Sequence, residues 1–433
     1  MNQPGNETNT RALVLNGLIN VILKGRSSSE VIPSFHSLAS NDRALASELF
    51  LGSLHHYFEL AAISKKQLKR PLKNQDQDVL LCLILGLYQL IYTRIPDHAA
   101  IHETVNLCHE LNKPWAAGIL NAIFRKIQRK PSLATETQLA DYNKYNLPKW
   151  LFLQIQEDWG QAAKDWLENN HIKAPLMLRV NSMKTSQEDY LKLLTTEEIE
   201  AEAVPQLPHA IKLARSRDVT TLPGYEEGLF SVQDSAAQWA ASLLAPQPGE
   251  KVLDACAAPG GKSAHILELV KNDCDLVALD NVPDRLDRMS ENLYRLDLTA
   301  DLRCGDAIKT EDWLQDGELF DRILCDAPCS ATGIIRRHPD IGIHRTAKDV
   351  KQLNQTQWRI MKSLWQCLKP GGVLLYSTCS ILKSENETLI SDFLKQNPDA
   401  KLLPIENIEH RYWQIFPGQN DMDGFFYARL TKE

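Results

Sequence analysis

The 433-residue sequence has no apolar run long enough to span a bilayer, which argues against a membrane-crossing helix. It has no Cys-x-x-Cys pair, and its nine cysteines are an odd number. A disulfide framework is therefore not expected, and a reducing cytoplasm fits. The nearest two cysteines, Cys325 and Cys329, have no second Cys or His pair beside them, so no metal site is expected. The first ten residues, MNQPGNETNT, lack the apolar centre of an export signal. A large charge excess is also missing. The net charge of -7 argues mildly against a polyanionic partner, but it is unevenly spread. Residues 1–140 hold 15 Lys and Arg against 11 Asp and Glu, a positive excess of four, which leaves eleven net negative charges in the remainder. Two basic groups stand out: Lys65, Lys66, Lys69, Arg70 and Lys73, then Arg125, Lys126, Arg129 and Lys130. Such groups can hold phosphates, although helix ends often carry them merely as solvated surface.

What is present divides the chain in three. Residues 1–138 carry helical apolar stripes, such as Val14, Leu15, Leu18 and Ile19. Asp42 is the expected N-cap of a following helix. Residues 78–92 are apolar nearly all round, which suits a central helix buried in a bundle. Residues 139–235 are punctuated by Pro148, Pro175, Pro205, Pro208 and Pro223. They read as a small α+β linking domain, with strands at 177–181 and 210–213 and a helix behind Ser186. From 236 to 433 strands alternate with helices. Strands are expected at 251–256, 276–280, 302–304, 320–326 and 372–377. Helices are expected at 263–270, 285–296 and 358–368. That alternation predicts a mostly parallel, doubly wound, Rossmann-like sheet whose ligands bind beyond the carboxyl ends of the strands. The whole is a multidomain chain: an all-α bundle, a small α+β domain and an α/β domain.

The chemically suggestive residues fall at those strand ends. After the first strand comes Cys256-Ala257-Ala258-Pro259-Gly260-Gly261-Lys262. Its glycines permit close backbone approach and positive φ, and the following helix offers free N–H groups to an anion. A Walker phosphate loop would need Gly at position 256, where Cys stands, and no GxGxxG is present. The remaining reading is the loop of S-adenosylmethionine enzymes. Asp280, ending the second strand, suits two ribose hydroxyls. Asp306, after the third, suits the adenine amino group. Each alone could be a turn residue.

Cys329, in Asp326-Ala-Pro-Cys-Ser330, and Cys379, in Ser377-Thr-Cys-Ser380, lie beyond strand ends among Pro, Ser and Thr. Cys274, Cys304, Cys325 and Cys367 read instead as small buried hydrophobes. A thiolate that adds to C6 of cytosine makes C5 nucleophilic enough to take a methyl group. Either Cys329 or Cys379 could supply it. Asp326 is placed to bond the N3 and N4 edge of the ring. Arg336, Arg337 and His338 follow closely and could grip phosphates.

The segments 254–262, 326–330 and 377–380, together with 228–238, resemble the RNA cytosine-5 methyltransferases of the Nol/Nop/Sun group. Segments 42–46, 86–90 and 96–105 resemble the RNA-binding domain of the antitermination factor NusB. This combination is similar to a bacterial branch of the group that modifies 16S ribosomal RNA. The resemblance implies that Cys379 is the nucleophile and Cys329 assists release of the product. It also implies that residues 256–262, Asp280, Asp306 and Asp326 line the pocket for S-adenosylmethionine and the target base. A base in a duplex would have to be flipped out or already unpaired. A non-catalytic RNA-binding or antitermination protein is the alternative, and the cysteine pair argues against it. DNA is not the expected partner, because the N-terminal bundle and the Thr-Cys-Ser nucleophile disfavour it.

Overall fold

The computed structural model describes residues 9–135, 139–170, 172–406, 408 and 411–433. It falls into two compact units. One takes the described residues up to 170 together with Ile335–Thr346, and the other takes the rest.

The first unit is helical. Its centre is the helix Gln77–Tyr92, in which every residue from Val79 to Gln89 is buried. Helices Thr10–Ile22, Ser40–His55, Asp97–Glu110 and Ala117–Arg129 pack round it through Leu18, Phe50, Ile101 and Phe124. Gly86 is required there, because a Cβ would lie 2.2 Å from the Phe124 ring. The cap expected at Asp42 falls at Ala39 instead, and Asp42 sits in the first turn, where its charge still complements the helix dipole. Residues 139–170 add helices Asp141–Lys144, Lys149–Trp159 and Ala163–Asn169 to this unit. The segment Ile335–Thr346 is held by Asp340, which accepts from Ser28 Oγ at 2.5 Å, and by His344 Nε2, 2.9 Å from the Val21 carbonyl.

The second unit holds two sheets among the described residues. The smaller is antiparallel, in the order β2 (Ala201–Ala203), β3 (Ala210–Leu213), β1 (Leu176–Val180), β4 (Phe230–Val232). Helix Gln187–Thr196 covers it, and Ser186 caps that helix by accepting from the Asp189 amide at 3.0 Å.

The larger sheet has a parallel core of β5 (Lys251–Ala255), β6 (Asp275–Asp280), β7 (Asp301–Cys304), β8 (Phe320–Asp326) and β9 (Leu368–Thr378). It is completed by β10 (Ala400–Leu403), β11 (Tyr412–Ile415) and β12 (Phe425–Lys432). The order is β10-β12-β9-β8-β5-β6-β7, with β11 also paired to β12. The core pairs are parallel, whereas β12 runs antiparallel to β9, β10 and β11. From β5 the chain winds one way through β6 and β7, then returns to build β8 and β9 on the other side. The switch point lies between β5 and β8, where such sheets leave a crevice at the strand ends. Leu253, Val277, Ile323 and Leu374 are buried on these strands, which gives near-continuous apolar runs typical of two-sided burial.

Candidate functional site

The loop after β5 is built tightly. Cys256 adopts φ 63°, and Gly260 adopts φ 93° as it caps helix Gly261–Leu269. A Cβ on Gly260 would meet Met289 Cγ at 2.7 Å. Gly261 needs no positive φ and begins the helix. Buried Asp254 anchors the loop from below by accepting from Ser263 Oγ, and its other oxygen has no hydrogen-bond partner among the described residues. Burial, followed by the Asp326, Asp280 and Asp254 charges, pushes the Cys256 thiol up to about 12. Cys256 is therefore a neutral group in the wall.

Asp280 ends β6 and is 2% exposed. Its carboxylate accepts from the Ala258 amide at 3.2 Å and the Val282 amide at 3.1 Å, and Arg285 lies 3.3 Å away. A carboxylate has about four acceptor directions, so Asp280 both holds the loop and retains capacity for hydroxyl donors. Asp306 follows β7, is partly exposed and accepts from the Ile308 amide at 2.9 Å. These residues suit a donor with a carboxylate, a ribose and an amino-bearing ring. A helix N-terminus would face the anion, and acidic side chains would face the hydroxyls and amine.

Across the switch point, Asp326 ends β8. Its carboxylate is 2.5 Å from Lys262 Nζ and 2.9 Å from Ser377 Oγ on β9. Burial opposes the charge on Lys262, but Asp326 outweighs it and holds the ammonium above its ordinary range. Lys262 Nζ also sits 5.0 Å from the Phe425 ring centroid. Beyond these strand ends, Cys329 Sγ and Cys379 Sγ are 3.5 Å apart, and both residues are half-buried. Hydrogen bonding to Cys379 is the largest influence on Cys329. Together with burial and the Cys379 and Glu385 charges, it pushes that thiol well above its ordinary range. The arrangement thus offers two thiols in contact, one of them strongly disposed to keep a proton, beside a carboxylate and an ammonium.

Arg336 is 3% exposed and belongs with the helical unit, so it does not offer the free phosphate grip expected of it. Cys304, expected to be buried, is exposed because β7 is the edge strand and the residue ends it. Sequence reasoning missed Arg179 on β1. It is fully buried, donates to both Glu268 oxygens at 3.0 and 2.9 Å, and donates to the Gly261 carbonyl at 2.7 Å. It therefore fixes the first turn of the helix behind the loop. Phe425 was missed as well, and no local motif marks either residue.

Comparison with known proteins places this geometry. The family described as 16S rRNA methyltransferase RsmB/F matches residues 241–431, the NusB family matches residues 8–129, and an RsmF/B-like ferredoxin-like domain matches residues 147–220. The ribosomal RNA small subunit methyltransferase B of Shewanella oneidensis is 44% identical over 430 residues, covering 98% of this chain and 99% of that protein. The chain belongs to the ribosomal RNA small subunit methyltransferase B family. The Vibrio vulnificus member is also 44% identical, over 98% of this chain and all of its own length. A solved methyltransferase homologue from Pyrococcus horikoshii superposes with a TM-score of 0.60 at 30% identity, covering 67% of this chain and 97% of its own. Ribosomal RNA small subunit methyltransferases B are S-adenosylmethionine-dependent rRNA methyltransferases. The fold expectations of a NusB-like helical domain, a small α+β domain and a Rossmann-like domain are met, the second by a ferredoxin-like domain. Among the described residues no helix is long and apolar enough to cross a membrane.

For this member of the family, Asp254 gives a pH-dependent expectation. Burial raises its carboxyl from 3.8 to about 7. The folded chain then binds a proton that the unfolded chain has released, so this group erodes stability as pH rises from about 4 to about 7 and adds nothing further above that. Asp254→Asn keeps an acceptor for Ser263 and removes the charge. Relative to the parent chain, it should gain about 2 kcal/mol more at pH 8 than at pH 5. Denaturant midpoints at the two pH values measure this, and an equal difference at both would refute it.

Proposed function

We propose that this chain methylates C5 of a cytosine in 16S ribosomal RNA through a covalent adduct between Cys379 and C6. The observation that carries the reading is the pair of thiols in contact, 3.5 Å apart, beside the Asp326 carboxylate. S-adenosylmethionine, when bound, supplies an electrophilic methyl group to C5. The loop 256–262 with Asp280 and Asp306 would hold it, Asp280 being able to take ribose hydroxyls besides the backbone amides it already accepts from.

The protein's own groups then have distinct tasks. Cys379 is the nucleophile, and its sulfur forms a bond to C6. Asp326 accepts from the N4 amino edge and orients the ring, while Lys262 keeps Asp326 in place and its ammonium offsets the negative charge pushed into the ring. Cys329 holds the pair's proton at first, because Cys379 and burial disfavour its thiolate. Once the Cys379 sulfur is bonded to carbon, that influence is gone and Cys329 can release its proton to solvent. It then takes the C5 proton, and the Cys379–C6 bond breaks with its electrons returning to sulfur. The pair is restored with one shared proton, and one proton has left for each methyl group gained. The assignment of the two roles to the two thiols follows the family resemblance, since titration alone would describe only the pair.

The basic groups supply the expected phosphate contacts. Lys65, Lys66, Lys69, Arg70, Lys73, Arg125, Lys126, Arg129 and Lys130 are all exposed. Lys126 Nζ donates to Gln67 Oε1 at 2.9 Å, which joins the end of one helix to the end of the other and merges the two groups into one patch.

The test is labelled methyl transfer to 16S rRNA, to DNA and to no nucleic acid, with the product nucleoside identified by mass spectrometry. 5-Methylcytidine in the 16S rRNA supports the reading. A methyl group on another atom or another base overturns it, as does transfer to DNA alone.

A further inference from the structure

Glu385 lies just after Cys379 in the chain and is fully buried. Its carboxylate takes four donors. The Ser330 amide donates to one oxygen at 2.8 Å and Gln357 Nε2 donates to the same oxygen at 3.0 Å. Ser330 Oγ and Ser380 Oγ both donate to the other at 2.5 Å. Ser330 directly follows Cys329, and Ser380 directly follows Cys379. One carboxylate therefore grips the residue next to each thiol. Thr332 Oγ1 lies 3.2 Å from both of these serine hydroxyls, and the Gly333 amide donates to the Cys379 carbonyl at 2.9 Å. Gln357 is itself fixed through a 2.9 Å bond to the Pro328 carbonyl. Burying a charge this deeply is costly unless it is fully bonded, and an apolar residue would fill the volume at lower cost. A fully bonded carboxylate at this place points to a positioning task.

We propose that Glu385 is a positioning residue that clamps the Cys329 and Cys379 loops together through Ser330 and Ser380, fixing the separation of the two thiols for catalysis. This rests on the covalent reading given under the proposed function. Glu385 is fully buried and its carboxylate's hydrogen bonds go to Ser330, Ser380 and Gln357, outside the loop 256–262, so its removal should disturb turnover and not donor binding. Its charge also contributes to keeping Cys329 protonated in the resting pair.

The experiment uses the full chain with Glu385→Asp, which keeps the charge but shortens the reach by one methylene, and Ser330→Ala, which deletes one arm of the clamp. Three quantities are read on each: the single-turnover rate at saturating donor and rRNA, the stoichiometry and affinity of donor binding by calorimetry, and the yield of fluorescent cross-link with dibromobimane, which fluoresces strongly only when both arms have alkylated neighbouring thiols. Cys379→Ser sets the cross-link background. The expected result is a rate reduced about tenfold or more, as small misplacements of reacting groups cost. A matching loss of cross-link is expected, with donor binding unchanged. Unchanged rate and cross-link overturn the proposal. A change in only one of the two also overturns it, as does a rate loss that merely tracks lost donor-binding sites. Where Glu385→Asp yields no folded protein, Ser330→Ala decides the matter by the same three readouts. Cys379→Ser that still methylates RNA refutes the covalent reading itself, whatever the clamp variants do.

Discussion

Cys379→Ser should reduce methyl transfer on the order of 10⁴-fold or more, the scale of losing a nucleophile. It should also remove any covalent protein–RNA adduct. A serine hydroxyl is a far weaker nucleophile toward C6, because the thiolate is the reactive form and a hydroxyl is almost never ionised near neutral pH. The exchange is close to isosteric, and the side chain lies just beyond β9, outside the loop 256–262 proposed to hold the donor. Donor affinity should therefore be unchanged. Loss of turnover with retained donor binding, measured on one sample by calorimetry and labelled transfer, places the defect in the chemical step. Retained turnover would show that C5 is activated without this sulfur, and the covalent mechanism would fall.

Much of the fold could be read because β5, β6 and the second half of β9 are buried on both faces. Runs such as 276–279 and 373–376 are apolar throughout and stand out, and Gly, Pro and Asp punctuate the strand ends. The strand-end residues follow from that pattern. Cys256, Asp280, Asp306, Asp326, Cys329 and Cys379 all fall at or just beyond carboxyl ends of parallel strands. What could not be read depends on long-range pairing. β12 sits between β9 and β10, yet its segment Phe425–Lys432 carries no turn signal or helix partner of its own. Its pairing brings Phe425 over Lys262, 163 positions away in the chain, where no local pattern points. The helix Ala347–Gln366 begins well before the expected 358, because its first turns are polar and only its later turns pack against the sheet through Ile360, Met361, Leu364 and Trp365. Likewise, nothing in the composition of Ile335–Thr346 shows that it packs with the helical unit, which depends on Asp340 meeting Ser28 from 312 positions away. The Glu385 clamp was invisible for the same reason, since Ser330 is 55 positions from it.

Cys329→Ala should leave addition and methylation possible but slow the exit. Without the second thiol, the base proposed to take the C5 proton is gone, so the Cys379–C6 bond persists. Overall turnover should fall by roughly 10²-fold or more, the usual contribution of a positioned base. A protein–RNA species should build up and survive denaturing gel electrophoresis, its RNA already methylated and its amount depending on added donor. Cys379 can be alkylated only while its sulfur is not bonded to C6. Alkylation after RNA and donor are added should therefore be blocked in proportion to the trapped species. The opposite pattern, an adduct that accumulates in Cys379→Ser and is absent from Cys329→Ala, would exchange the two roles. A Cys329→Ala protein that turns over normally with no adduct would leave the contact between the two sulfurs without a catalytic purpose.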